Sequence, residues 1–169
     1  MPITRMNHAV LYVRDAARTA AFYREILDFR VVFQMGGGAI FLQAPGSTND
    51  HDLGLFEVGA GAAPSAAGHG AVGLYHIAWE VDTLDELERI SGRLSERGAL
   101  VGATDHGTTK ALYAHDPDGL EFEVSWLVPA AFITPEMTAR MEPLDISAER
   151  ARFGGLTRGG VGVSIPAEV

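Results

Sequence analysis

No cysteine occurs anywhere in the 169 residues. That absence removes disulfides, thiolate nucleophiles and cysteine-held metals together, so any metal must be bound by histidine and carboxylate. Positive charge is also scarce: 13 Lys and Arg stand against 22 Asp and Glu, for a net charge of −9. A polyanion needs a basic patch to bind, which argues against a nucleic acid partner. No apolar run is long enough to cross a bilayer, and the opening Met1-Pro2-Ile3-Thr4-Arg5-Met6 lacks the apolar stretch of a signal peptide. A cytoplasmic protein with no membrane partner is expected. The rest is globular in character, with 47 % hydrophobic and 21 % charged residues over a length that suits one domain with a real core.

The apolar periodicity spells the same order of elements twice. Residues 6–13 read as a strand, with Asn7, Ala9, Leu11 and Val13 on one face and His8, Val10 and Tyr12 on the other. Asp15 can cap a helix to about Leu27, and strands follow at 29–34, 39–43 and 51–58, the first two joined by glycines as in a hairpin. A Gly/Ala/Pro/Ser-rich linker covers 59–71, where His69 reads as a solvated residue. Then come a strand at 72–81, a helix from the capping box Thr83…Glu86 to Gly98, and strands at 100–104, 109–114 and 120–126. His8 precedes Glu57 by 49 residues and His76 precedes Glu123 by 47, and Phe56-Glu57-Val58 echoes Phe122-Glu123-Val124. A repeat of that length implies two like modules about a pseudo-twofold axis. The expected organisation is one domain over 1–127 (modules at about 3–58 and 72–127) and an extension over 128–169. The extension holds two short helix candidates, 135–141 and 148–153 behind Ser147.

The densest chemistry lies between Thr104 and Glu123. Leu112-Tyr113-Ala114-His115 runs into Asp116-Pro117-Asp118-Gly119, the punctuation of a tight turn, and Leu120 to Trp126 returns with period two. Phe122, Val124 and Trp126 then share one face, and Glu121, Glu123 and Ser125 the other. A carboxylate at mid-strand, at a fixed offset from a turn, suits a metal ligand.

With the two βαβββ modules, the opening Asn7-His8-Ala9-Val10-Leu11-Tyr12-Val13-Arg14-Asp15 and the Asp116-Pro117-Asp118-Gly119…Glu123 close, the chain over residues 3–127 resembles the vicinal oxygen chelate superfamily. That superfamily includes glyoxalase I, the fosfomycin and bleomycin resistance proteins and the type I extradiol ring-cleaving dioxygenases. The stretch from Thr104 to Glu123 is similar to the extradiol signature of a His, Leu-Tyr, Asp-Pro, Gly and Glu at set intervals. The resemblance implies an α+β fold whose modules form a cupped, open mixed barrel. It implies an Fe(II) enzyme, with Mn(II) as a substitute, that opens a catechol-type ring with O2. Family members commonly pair, so a homodimer is compatible with it.

Under that resemblance His8, His76 and Glu123 are the metal ligands, two imidazoles and a carboxylate that leave one face of an ion open. Singly, His8 and His76 read better as packed core histidines and Glu123 as a solvated strand residue; it is their matched places in the repeat that favour ligands. His51, expected on the face of Leu53, Leu55 and Glu57, takes the acid–base role of the family's histidine before this strand, the alternative being an exposed loop residue. Tyr113 takes the role of the tyrosine that hydrogen-bonds a substrate oxygen, the alternative being a barrel-filling aromatic. His106 matches the signature histidine and contacts substrate or supports the site; His115 has a weaker claim. Glu57, as counterpart of Glu123, keeps a glyoxalase-type lyase or isomerase with four protein ligands open, unless a slip or a bulge at Gly54 turns it outward. A non-catalytic drug-binding protein is the third reading.

Overall fold

A computed structural model of the chain describes every residue except Met1, Thr4, His69 and residues 165–169. The expectation for His69 therefore lies outside the described residues. Contacts divide the chain into two compact units, Met1–Ser65 with Asp116–Gly119, and Ala66–His115 with Leu120–Val169.

The first unit runs β1 (Ala9–Val13), α1 (Ala16–Leu27), β2 (Arg30–Met35), β3 (Ala39–Gln43) and β4 (Leu53–Glu57). The sheet order is β1-β4-β3-β2, with β1 and β4 parallel and the other pairs antiparallel. Asp15 caps α1 as expected, its carboxylate accepting from Arg18 N at 2.9 Å. Alternation then decides which face is buried. Leu11, Val13, Leu53 and Leu55 are buried, while Val10, Tyr12 and Phe56 are exposed. α1 lies on β3 and β4, supplying Ala16, Ala20, Tyr23 and Ile26 to that core.

The second unit repeats the pattern: β5 (His76–Glu80), α2 (Leu84–Glu96), β6 (Leu100–Asp105), β7 (Thr109–His115) and β8 (Glu121–Leu127). Thr83 caps α2, accepting from Glu86 N at 3.3 Å. Leu84, Leu87, Ile90 and Leu94, spaced three and four apart, form its buried stripe against β6, β7 and β8. Truncating any of these leucines to alanine should cost about 2–5 kcal/mol. The α+β class and the two βαβββ modules therefore stand, and neither sheet closes on itself.

Two boundaries depart from the expectation in a way that matters for the site. β1 begins at Ala9 and β5 at His76, so the segments 6–8 and 72–75 lie outside the strands. In each case the parallel partner sets the limit. Ala9 pairs with Leu53, where β4 emerges from its loop, and His76 pairs with Glu121, where β8 emerges from the turn at 116–119. His8 and His76 thus mark strand entrances, and among the three expected ligands Glu123 alone is at mid-strand.

The extension builds onto the second unit. After a 3₁₀ turn at Ala130–Phe132, β9 (Glu142–Pro143) adds to the β6 edge, giving the order β5-β8-β7-β6-β9. α3 (Ile146–Phe153) packs against α2. The expected helix over 135–141 is a single turn, Met137 N bonding to Thr134 O at 3.0 Å, because the chain must be extended by Glu142 to pair with Asp105. α3 starts earlier than expected, capped by Asp145 in place of Ser147; its carboxylate accepts from Ala148 N at 3.0 Å. Among the described residues no helix is long and apolar enough to cross a membrane.

Candidate metal and substrate site

The open face of the five-stranded sheet collects most of the expected residues. Register places Tyr113 opposite Glu123, His115 opposite Glu121, Ala78 beside Glu123 and His76 beside Glu121, and paired residues share a face. Phe122, Val124 and Trp126 are buried on the opposite side, which forces the glutamates outward onto this face. His76 Nε2 lies 3.3 Å from Glu123 Oε2, and His76 Nδ1 lies 3.9 Å from Glu121 Oε1. His115 Nε2 stands 3.6 Å from the other oxygen of Glu121. The Tyr75 ring lies 4.7 Å from that of His76, and its hydroxyl bonds to Glu121, which raises the Tyr75 pKa.

Tyr113 and His106 form a second pair on this face. His106 Nε2 is 2.9 Å from Tyr113 Oη, and His106 Nδ1 is 3.2 Å from the carbonyl of Arg140. A carbonyl can only accept, so Nδ1 carries the hydrogen, and in the neutral ring Nε2 then accepts from the tyrosine. Burial, followed by the charge of Glu123, whose carboxylate is the other acceptor within reach of the hydroxyl, pushes Tyr113 up to about 12. Tyr113 is therefore a neutral phenol across the physiological range.

In the first unit His8 and His51 come together, their ring centroids 4.4 Å apart, with Phe41 edge-on to His51 at 5.1 Å. The side chain of Asn7 bonds His8 Nδ1 at 2.7 Å. When that nitrogen donates, Nε2 of His8 keeps its lone pair for a metal. His51 does not share the face of Leu53, Leu55 and Glu57 as expected. It lies with Phe41, which is paired with Gly54 on the open face, while Leu53 and Leu55 are fully buried. The loop that delivers it is fixed by buried Asp52, whose carboxylate accepts from Ala44 N (2.8 Å), Ser47 Oγ (2.7 Å) and Asn49 Nδ2 (2.7 Å). Asn49 Nδ2 also reaches Asn7 O at 2.7 Å, tying the His8 and His51 segments together.

Glu57 is not the counterpart of Glu123. Glu57 pairs with Val13, five residues past His8, whereas Glu123 pairs with Ala78, two residues past His76. The β3–β4 register is unbroken, so no bulge at Gly54 is involved. Parity alone carries Glu57 to the helix side, where Oε2 accepts from Ala16 N at 3.2 Å in the first turn of α1. The Asp-Pro-Asp-Gly turn is likewise committed to structure. Asp118 accepts from Arg14 N (2.9 Å) and Arg14 Nη1 (3.0 Å), and Arg18 Nη2 reaches Pro117 O at 3.1 Å.

The His76–Glu123 pair fits a divalent cation by its chemistry. An imidazole nitrogen and a carboxylate oxygen facing each other are a mixed N/O donor set of the kind Fe(II) and Mn(II) accept. His76 Nδ1 and Glu121 Oε1 are both buried and without a hydrogen-bond partner. Among the described residues no group of three or more metal-binding side chains gathers on its own. Asn7, Asp52, Tyr75, Glu121 and Arg140 are the contributors that the sequence pattern did not single out. Glu121 was marked only by sharing Glu123's parity.

The sequence profile of the Glyoxalase/Bleomycin resistance protein/Dioxygenase superfamily matches residues 5–124, and the chain belongs to that superfamily. Within it, the chain is 31 % identical over 121 residues to the catechol-2,3-dioxygenase of Bacillus subtilis (strain 168), covering 72 % of this chain and 41 % of that protein. It is 33 % identical over 116 residues to biphenyl-2,3-diol 1,2-dioxygenase 2 of Rhodococcus globerulus, covering 68 % of this chain and 58 % of that protein. The matched stretch thus spans about half the length of these relatives. A glyoxylase/bleomycin resistance protein/dioxygenase domain from Frankia sp. EAN1pec superposes with a TM-score of 0.60 at 22 % identity, covering 73 % of this chain and 92 % of that one, a likeness of fold.

Proposed function

We propose that the protein is a cytoplasmic, metal-dependent extradiol dioxygenase that opens the ring of a catechol-type substrate with O2, with His8, His76 and Glu123 as metal ligands. The observation that carries this reading is the grouping of His76, Glu123, Tyr113 and His106 on one sheet face, with Tyr113 Oη 2.9 Å from His106. The names of the two dioxygenases, 31 % and 33 % identical to the chain over the matched 121 and 116 residues, support the same class. When bound, Fe(II), or Mn(II) in its place, would supply Lewis acidity toward the diol and an electron path to O2.

The chain's own residues have distinct tasks in this reading. Tyr113, a neutral phenol, hydrogen-bonds one oxygen of the diol and so orients the ring. His106 fixes the direction of that hydroxyl. His51, its ring tilted against that of His8, moves a proton to or from the reacting diol, a task suited to imidazole near neutrality. Phe41, edge-on to His51, holds that ring in place. Glu57 is bonded at the start of α1 and takes no part.

Anaerobic loading with Fe(II), followed by O2 and a panel of alkyl-, aryl- and carboxyl-substituted catechols, tests the proposal. A yellow ring-opened product with matching oxygen uptake is expected for at least one catechol. Metal binding without oxygen uptake on any catechol overturns it in favour of a lyase or isomerase. The absence of any affinity for divalent metal overturns it in favour of a binding protein. A dimer is the expected assembly on a calibrated sizing column.

A further inference from the structure

Residues 138–144 of the C-terminal extension lie along the turn that carries His106. Thr104 pairs with Pro143 and Asp105 with Glu142, and Leu144 N bonds to Ala103 O at 3.2 Å. Gly107, next to His106, has φ +86°, and a Cβ there would stand 2.4 Å from Thr138 O, so the extension is seated directly on this turn. One carboxylate grips both partners. Asp105 Oδ1 accepts from Gly107 N (2.8 Å) and Lys110 Nζ (2.6 Å), while its Oδ2 accepts from the Arg140 guanidinium, which also reaches Glu142 at 3.6 Å. The side chain of Arg140 thereby sets the place of its own carbonyl, 3.2 Å from His106 Nδ1.

We propose that Arg140 is a positioning residue that fixes the tautomer of His106, and through it the direction of the Tyr113 hydroxyl, an inference that rests on reading Tyr113 as the partner of a substrate oxygen. With Nδ1–H bonded to the Arg140 carbonyl, Nε2 of neutral His106 accepts the Tyr113 hydrogen. The lone pairs of Tyr113 Oη are then left to accept from a hydroxyl that still bears its proton. Released from the carbonyl, His106 is free to take the other tautomer and donate from Nε2, which frees the single tyrosine hydrogen for a different acceptor, Glu123 or an ionised substrate oxygen. The extension thus determines whether Tyr113 receives the un-ionised or the ionised oxygen of a diol.

Long-range proton–nitrogen NMR of ¹⁵N-histidine-labelled, metal-free full-length protein, recorded above the ordinary imidazole pKa, reads the tautomer directly. The wild type is expected to show His106 as Nδ1–H. Arg140→Met is expected to give a tautomer mixture, and Arg140→Lys, which keeps a cation for Asp105, to restore it. In the iron-loaded enzyme Arg140→Met should lower kcat about 10-fold with little change in KM, the scale of losing a partner that orients a site residue. An Nε2–H tautomer in the wild type overturns the inference, and this single spectrum decides it even where Arg140→Met fails to fold. An unchanged tautomer in folded Arg140→Met also overturns it. The Nδ1–H form without turnover of any catechol leaves the positioning intact and removes the dioxygenase reading; turnover with the Nε2–H form does the reverse.

Discussion

His76 Nε2 lies 3.3 Å from Glu123 Oε2 although the two are not register partners. His76 pairs with Glu121 and Glu123 with Ala78, so the contact runs diagonally across the parallel β5–β8 ladder. Both side chains lean along the strand direction to meet, a reach that diagonal neighbours on one face allow. His76, Glu121 and Glu123 therefore share one sheet face, with the imidazole between the two carboxylates.

Glu123→Gln keeps the shape of the side chain and removes its charge. Affinity for Fe(II) or Mn(II) is expected to fall at least about 100-fold, beyond what loss of an outer-shell partner alone produces. Equilibrium dialysis with metal analysis measures this. An unchanged affinity would remove Glu123 from the ligand set and with it the reading of the whole face.

Glu57→Gln should behave in the opposite way. Its carboxylate sits at the N-terminus of α1, where a negative charge at an exposed position contributes about 0.3–1 kcal/mol. A small loss of stability in urea is expected, with metal affinity and turnover intact. A tenfold or larger drop in metal affinity would return Glu57 to the ligand set and favour the four-ligand alternative.

The repeat, both helix caps and the face shared by Glu121 and Glu123 were legible because each rests on local chemistry: parity, a capping carboxylate, a turn sequence. The symmetry between Glu57 and Glu123 was misleading because it counted residues along the chain. Ladder position depends on register, and a separation of 49 against 47 conceals a shift along the strand. His51 departs from the face that strand alternation predicts for a related reason. It precedes β4, in a loop held by Asp52, where strand alternation does not apply. Arg140 carried no signal at all, since its role depends on a backbone carbonyl brought back 34 residues later in the chain than His106. The extension's packing on its own unit was equally unreadable, because Glu149 meets Lys110 only after the fold forms.

That meeting has a consequence for acid stability. Lys110 is fully buried, 2.6 Å from Asp105 Oδ1 and 2.9 Å from Glu149 Oε2. Burial raises the Asp105 pKa, but Arg140, Lys110 and the Gly107 N–H outweigh it and hold the carboxyl below its ordinary 3.8. A depressed folded pKa means that this contribution is complete above pH 3.8 and is lost as pH falls through the lower folded value. Asp105→Asn is therefore expected to be less stable at neutral pH and to show a shallower loss below about pH 4. Glu149→Leu, which leaves the buried ammonium short of a partner, should cost about 1–3 kcal/mol at pH 7. Urea titrations across the acid range give both quantities.

Tyr113 offers a test that separates an oriented phenol from a packed ring. Its hydroxyl ionises near 12, above the ordinary 10, because burial and the Glu123 carboxylate disfavour the phenolate. A rapid pH jump on metal-free protein, read as tyrosinate absorbance before unfolding, should show a component near 12 that is missing from Tyr113→Phe. In Glu123→Gln that component should move down toward 10, since one of the charges that opposes ionisation is gone. Tyr113→Phe keeps the ring, so a residue that merely fills space would leave turnover as it was. A hydroxyl that accepts from an un-ionised substrate hydroxyl contributes about 0.5–1.5 kcal/mol, and its loss should lower kcat/KM roughly 2- to 10-fold. Equal turnover by the two proteins would assign Tyr113 to packing and leave His106 with nothing to orient.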